Sequence, residues 1–211
     1  LYEYLDKRGM RATRTVVADF LGAIQAASVL PFRTEMPTWL QGEPPFPAKE
    51  CLIASNCVLH LPTMATHPLD PRLFSVNAVG YEFDPAAECP QWLQFLDGIW
   101  PDDRECVAAL QEILGYLLLP DTSQQKIFLL VGPKRAGKGI IGRVIHALIG
   151  HDNVCDPTLG QFQGEFGLQP LIGKTVAFIG DARLSGRHDA SAIAERLLSI
   201  SGEDAQTINR K

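Results

Sequence analysis

The sequence predicts an α/β fold, with a parallel-sheet core in its C-terminal part preceded by a mostly helical N-terminal region. Three observations carry this. The run KIFLLV (126–131) is short, continuous and apolar, the pattern of a strand buried on both faces. It feeds a glycine-rich turn, VGPKRAGKG, and then a helix with Ile141, Val144, Ile145, Leu148 and Ile149 along one side, closed by Gly150. A second apolar run, KTVAFIGD (174–181), predicts another buried strand ending on an acid. Strand, loop, helix, strand is the βαβ order of a parallel sheet.

The elements before this core read in order. Residues 13–29 place Val16, Val17, Phe20, Leu21 and Ile24 at helical spacing, with Pro31 beyond as a stop. Residues 31–50 hold Pro31, Pro37, Pro44, Pro45 and Pro47, which excludes regular helix and predicts a loop or linker. CLIASNCVLHLPT predicts two short strands around Ser55 and Asn56, a hairpin, and the stretch after it is extended and turn-rich. Pro90 suits a first helical position, with Trp92, Leu93, Phe95 and Leu96 as a buried face. Asp102 or Asp103 caps the next helix, whose apolar side is Val107, Leu110, Ile113, Leu114, Leu117 and Leu118 before Pro120 ends it. Asp189 caps a last helix over SAIAERLLSI. The expected division is a mixed, mostly helical region at 1–120 and the phosphate-loop domain at 121–211.

Composition narrows the classes. The 211 residues are 46% hydrophobic and 20% charged, ordinary globular values. No apolar run approaches the roughly 18 residues that span a bilayer. The chain begins without Met or a signal-type segment, and it reads as a piece of a longer polypeptide. The five cysteines (Cys51, Cys57, Cys89, Cys106, Cys155) form no CxxC pair and fit neither a disulfide framework nor a zinc cluster. Cys57 and His60, three apart on a strand, point to opposite faces. The five histidines are scattered and suggest no metal site, and Asp84, Asp102 and Asp103 read as caps before helical segments. Net charge is −5, with 8 basic against 15 acidic side chains up to residue 120 and 11 against 9 after it. That balance permits a nucleic-acid partner for the C-terminal half without establishing one.

The chemistry sits in the loop. The common phosphate-loop pattern is Gly, four residues, Gly, Lys, then Ser or Thr. Gly132, Gly137 and Lys138 fit it, and Gly139 stands where the hydroxyl residue belongs. Residues Gly132, Pro133, Lys134, Arg135, Ala136, Gly137, Lys138, Gly139 and Ile140 form the candidate nucleotide site. A helix N-terminus attracts anions, glycines let phosphate approach the backbone, and Lys138 reaches the outer phosphates as a point charge. Such sites use magnesium, usually held by a carboxylate ending a neighbouring strand. Asp181 is that candidate, so Lys138 and Asp181 are the expected catalytic pair. Gly139 and Ile140 carry no side-chain oxygen. Either Asp181 holds the ion through water, or the loop relies more on its cations.

Four stretches, YEFDPAAECPQWLQFLDGIWPDD, LQEILGYLLLPDTSQQKIFLLVGPKRAGKG, FGLQPLIGKTVAFIGDARLSGR and ERLLSISGEDAQTINRK, resemble the C-terminal region of phage- and plasmid-type DNA primase–helicases. These are superfamily III helicases related to the poxvirus primase–helicase, and the resemblance covers residues 56–211. It implies an AAA-type P-loop NTPase domain behind a helical, collar-like region, and an ATP hydrolase that uses ATP and magnesium. It also implies a ring, hexameric in the family, moving on single-stranded DNA in the cytoplasm of a bacterial host. SGEDAQTINRK resembles the segment leading to the family's DNA-contacting hairpin, which makes Arg210 and Lys211 candidates for strand contact or for facing a neighbouring subunit; a terminal basic pair is otherwise solvated charge.

The match has gaps. Ala182 stands where a second acid often follows Asp181, and the family's phosphate-sensing polar residue and subunit-bridging arginine would lie beyond residue 211. The fragment alone is accordingly expected to bind nucleotide weakly and hydrolyse it slowly. The alternatives are a nucleoside monophosphate-type kinase, prompted by Gly-Lys-Gly, and a non-catalytic assembly module. The kinase normally has its loop near the N-terminus and an arginine-rich lid, whereas about 130 residues precede the loop here and no lid is evident.

Overall fold

A computed structural model describes residues 2–9, 11, 13–31, 34–182, 189–204 and 206–209. It divides into two compact units, Leu1–Glu35 and Met36–Lys211. The first holds helices α1 (Tyr2–Lys7) and α2 (Arg14–Ala27). The Thr13 hydroxyl accepts from the Val16 N–H at 3.3 Å and starts α2, a cap of about 1 kcal/mol. The helix ends at Ala27, before Pro31 is reached, where the Ser28 hydroxyl donates back to the Ile24 carbonyl at 2.7 Å. Its apolar stripe is only partly covered: Val16, Val17 and Phe20 are half-buried, while Leu21 and Ile24 are exposed.

The second unit opens with a small β layer. The expected hairpin is present as β2 (Cys51–Ile53) and β3 (Val58–His60), extended by a third antiparallel strand, β4 (Ala65–His67). Inside the proline-rich stretch, β1 (Thr38–Trp39) pairs with β5 (Leu73–Phe74), so part of that stretch is ordered against the sheet. Strand alternation splits the β2–β3 side chains cleanly. Leu52, Ala54, Cys57 and Leu59 join Val79, Tyr81 and Phe83 on one face; Cys51 and Val58 join Ala48, Leu73, Trp39 and Phe46 on the other. His60 stacks on Phe46 and so lies on the face opposite Cys57, as its spacing predicts.

Four helices follow the pattern read from the sequence. Pro90 starts α3 (Pro90–Ile99), and the Asp103 carboxylate accepts from the Cys106 N–H at 2.9 Å to start α4 (Arg104–Leu117). Helix α5 (Lys138–Ile149) buries Ile141, Ile145 and Ile149 and stops at Gly150, whose φ is +87°. Asp189 caps α6 (Ala190–Ser201) through the Ser191 and Ala192 N–H groups. Of the aspartates read as caps, Asp103 caps α4, whereas Asp84 accepts from the Ala86 N–H in a local turn.

The sheet of the C-terminal part differs from the expectation. Among the described residues its hydrogen-bonded strands are β6 (Val154–Cys155) and β7 (Val176–Ala177), a parallel pair. The run 126–131 belongs to no ladder, and it is not buried on both faces: Ile127, Leu129 and Val131 are 57%, 74% and 85% exposed, while Leu130 packs inward. Phe128 is exposed as well and meets the Tyr116 ring edge-on. The apolar character of the run reports the composition of a sheet strand, but a ladder also needs a partner backbone at bonding distance, and none pairs with it among the described residues.

One core crosses residue 120. Leu96 from α3, Leu110 and Leu114 from α4, Ile141, Ile145 and Ile149 from α5, and Val154 and Val176 from β6 and β7 form a single buried cluster, with Phe95, Leu130 and Phe178 against it. A second cluster sets Ile193 of α6 on Leu159, Phe162 and Leu168, with Ile179 alongside.

Candidate functional site

The loop enters α5 with no side chain capping it among the described residues. Gly137 is the N-cap at φ +79°, preceded by Arg135 at φ +64°, and these left-handed residues turn the chain sharply into the helix. The Ile140 and Ile141 N–H groups bond to the Gly137 carbonyl. The Lys138 and Gly139 N–H groups find no acceptor among the described residues, the normal state of a first helical turn. They point out of the positive end of the helix dipole.

Lys138 folds back over the loop. Its Nζ donates to the Gly132 carbonyl at 2.6 Å and to the Pro133 carbonyl at 2.7 Å. The ammonium thus sits in the mouth of the loop on two neutral acceptors. Gly132, Pro133, Lys134 and Arg135 are exposed, Ala136 to Lys138 half-buried, and Gly139 and Ile140 exposed again. A methyl at Gly132 would meet Ala136 at 3.6 Å and the Lys138 ammonium at 3.9 Å, which is ordinary contact. At Gly139 it would meet nothing within 4 Å, so space does not explain the absence of a hydroxyl residue there.

Gly137 is different. A methyl there would lie 2.8 Å from Cζ of Phe95 and 3.5 Å from Ile99, both on α3. Trp92 stacks on Phe95 with ring centroids 5.4 Å apart. Helix α3 is therefore the floor of the loop, a relation that no local pattern in the sequence announces.

The far end of α5 is held by polar side chains that the sequence reading missed. Asn153, buried at 4% exposure, donates to the Ile149 carbonyl at 2.8 Å and to the Ala78 carbonyl at 2.9 Å. Tyr81 donates to the Leu148 carbonyl at 2.8 Å, and burial raises its phenol's pKa. Asn77 donates to the Thr175 hydroxyl at 2.9 Å and the Gly173 carbonyl at 3.2 Å. The bonds to Ile149 and Leu148 satisfy carbonyls that a helix C-terminus leaves open. Apart from Asn153 with Ile149, the partners lie tens of residues away in sequence, so only a three-dimensional structure reveals them.

Asp181 lies four residues beyond β7, which starts beside the C-terminal end of α5. Thr175, just before β7, bonds to Asn153 at the C-terminal end of α5, whereas Phe178 lies over Gly142, where a methyl would come within 2.6 Å of the ring. Asp181 is exposed and follows a bend at Gly180, beyond the end of β7. Glu203 accepts from the Thr122 hydroxyl, near the start of the run that leads into the loop. Arg210, Lys211 and His188 lie outside the described residues.

Among the described residues no group of three or more His, Cys, Asp or Glu side chains is placed to hold a metal. His60 engages Glu50 and Thr63, and His146 engages Asp156. Cys51 is a buried thiol pushed up to about 11, first by desolvation and then by Glu50, which makes it inert. A single carboxylate at Asp181 nonetheless fits magnesium, which keeps most of its waters and takes one or two carboxylates beside substrate phosphates. No helix of the described residues is long and apolar enough to cross a membrane.

Two family models match the chain. Residues 6–101 match the family described as D5 N terminal like. That match is consistent with a phage primase–helicase family and gives the protein a DNA-replication context. Residues 130–211 match a family of unknown function (DUF5906). No curated protein matches the chain. Helix α3 falls in the D5-like match and the glycine-rich loop in the other, and the two touch where Phe95 lies against Gly137.

Proposed function

We propose that the chain is the ATP-binding part of a phage- or plasmid-type replication helicase of superfamily III, an ATP hydrolase acting as a ring on single-stranded DNA. The fold behind this reading is an AAA-type P-loop domain. The observation that carries it is Lys138: an ammonium in the mouth of a glycine-rich turn, at a helix N-terminus that no described side chain caps, held by the Gly132 and Pro133 carbonyls. Phosphate oxygens are charged acceptors and bind an ammonium more strongly than carbonyls do, so a nucleotide draws Lys138 off them. The open N–H groups of Lys138 and Gly139 and the cations of Lys134 and Arg135 add to the same anion site. Asp181 would hold magnesium through water, because Gly139 and Ile140 offer no oxygen. The ion supplies charge neutralisation between the outer phosphates. Arg210 and Lys211 are proposed to contact the DNA strand or a neighbouring subunit.

The test is titration of a fluorescent ATP analogue with magnesium. Lys138→Ala is expected to weaken binding about tenfold or more, the loss of one charge-assisted contact of about 1.5–3 kcal/mol. Equal affinity in the variant and the parent chain would sink the reading.

A further inference from the structure

The loop's left-handed glycine and the α3 aromatic ring occupy the same space. Gly137 stands at φ +79°, and the Cβ position it leaves empty is 2.8 Å from Cζ and 3.1 Å from Cε2 of Phe95. Ile99, one helical turn further along α3, closes the other side at 3.5 Å. Trp92, one turn earlier, stacks on Phe95 with planes 21° apart and fixes the ring from behind. The next helical residue, Leu96, is buried at 2% exposure in the core shared with α5. Helix α3 therefore cannot swing away from the loop without opening that core. The ring presents its para carbon, not its face, to the backbone that turns into α5.

We propose that Phe95 is a positioning residue of the phosphate loop. Its ring, backed by Trp92, sets the height at which Gly137 enters α5 and so aims the Lys138 and Gly139 N–H groups at a bound phosphate. The proposal rests on the reading of residues 132–140 as a phosphate site. It adds that the affinity of this site is set by a helix from the D5-like part of the chain, through one aromatic contact. A residue that merely fills volume tolerates any side chain of similar size and apolarity. A positioning residue is sensitive at the atom that makes contact.

Phe95→Tyr separates the two. It keeps the ring and its packing on Trp92 and Ile99, and it adds one oxygen at Cζ, the point nearest Gly137. The hydroxyl has no room unless the loop or α3 shifts. Phe95→Leu removes the para carbon while keeping most of the apolar contact. Leu93→Ala, on the exposed side of the same helix, is the control. Binding of the fluorescent ATP analogue with magnesium is measured for each variant of the full chain, together with amide exchange of residues 132–140 and of the β2–β4 sheet.

Phe95→Tyr and Phe95→Leu are expected to weaken nucleotide binding about five- to twentyfold. Exchange is expected to quicken in 132–140 and stay unchanged in the sheet, and Leu93→Ala is expected to match the parent. Parental affinity and parental loop exchange in Phe95→Tyr would overturn the assignment. So would a loss accompanied by equally faster exchange in the sheet, which marks general destabilisation. If Lys138→Ala leaves the parent's binding intact, the phosphate-site reading falls and this inference with it. If Lys138→Ala abolishes binding and Phe95→Tyr does not change it, only this inference falls.

Discussion

Replacing Gly137 with alanine adds a single methyl at a position where backbone and neighbour both resist it. At φ +79° an L-residue costs about 1–2 kcal/mol. The new Cβ would also sit 2.8 Å and 3.1 Å from two carbons of Phe95, against an ordinary contact of about 3.5–4.0 Å. Relieving such an overlap by shifting a half-buried ring costs about 1–3 kcal/mol more. The sum is a destabilisation of about 2–5 kcal/mol. Two residues on, Gly139→Ala meets nothing within 4 Å and sits inside the first turn of α5. There it removes a helix-weakening glycine and stabilises by up to about 1 kcal/mol. The assay is thermal or urea unfolding of the full chain. In a unit of this size each kcal/mol moves the midpoint by roughly 2–4 °C, so the two variants should separate by about 4–24 °C in opposite directions. A double variant, Gly137→Ala with Phe95→Ala, should recover the overlap part of the penalty and leave the backbone part. Shifts of the same sign, or a Gly137→Ala midpoint within a degree of the parent, would refute the geometry.

Asn153→Ala strips two donated bonds from buried carbonyls and should cost about 2–4 kcal/mol in urea unfolding, while Asn153→Asp, which cannot donate, should do no better. Asp181→Asn should leave metal-free binding of the ATP analogue unchanged and shrink the extra affinity that magnesium confers. The Asp189 carboxyl is held below the ordinary carboxylate range, first by the Ser191 hydroxyl and then by the Ala192 and Ser191 N–H groups. Its capping contribution is therefore full above the unfolded carboxyl's pKa and is lost as pH falls through the lower folded value. Asp189→Asn keeps an acceptor that does not titrate, so the gap between its unfolding midpoint and the parent's should close in acid below about pH 4.

What the sequence conveyed was local. Pro90, Asp103, Gly150 and Asp189 each stop or start a helix by chemistry confined to a few neighbours, and each does so in the structure. The hairpin around Ser55 and Asn56 and the opposite facing of Cys57 and His60 follow from a period of two. Less legible was anything that depends on a distant partner. The run 126–131 has the composition of a buried strand, yet composition cannot supply the neighbouring backbone that a ladder requires. The bonds from Tyr81 to Leu148 at the far end of α5 and from Asn77 to Thr175 span more than sixty residues and leave no periodic trace. Within the candidate site, Gly137 looked like a glycine needed for phosphate approach; that it also makes room for an aromatic ring emerges only from three dimensions.

The core that crosses residue 120 has a consequence for how the protein comes apart. Two recognisable lengths of sequence, one ending with α3 and one opening with the loop, meet in a common interior, so a boundary between family matches is not a boundary of cooperative unfolding. Helices α3 and α4 without α5 would present Leu96, Leu110 and Leu114 to water, and α5 without them would present Ile141, Ile145 and Ile149. Residues 36–211 should accordingly lose structure in one transition seen alike by helix and aromatic signals. A cut between Pro120 and Lys126 should leave halves that stay together until they melt.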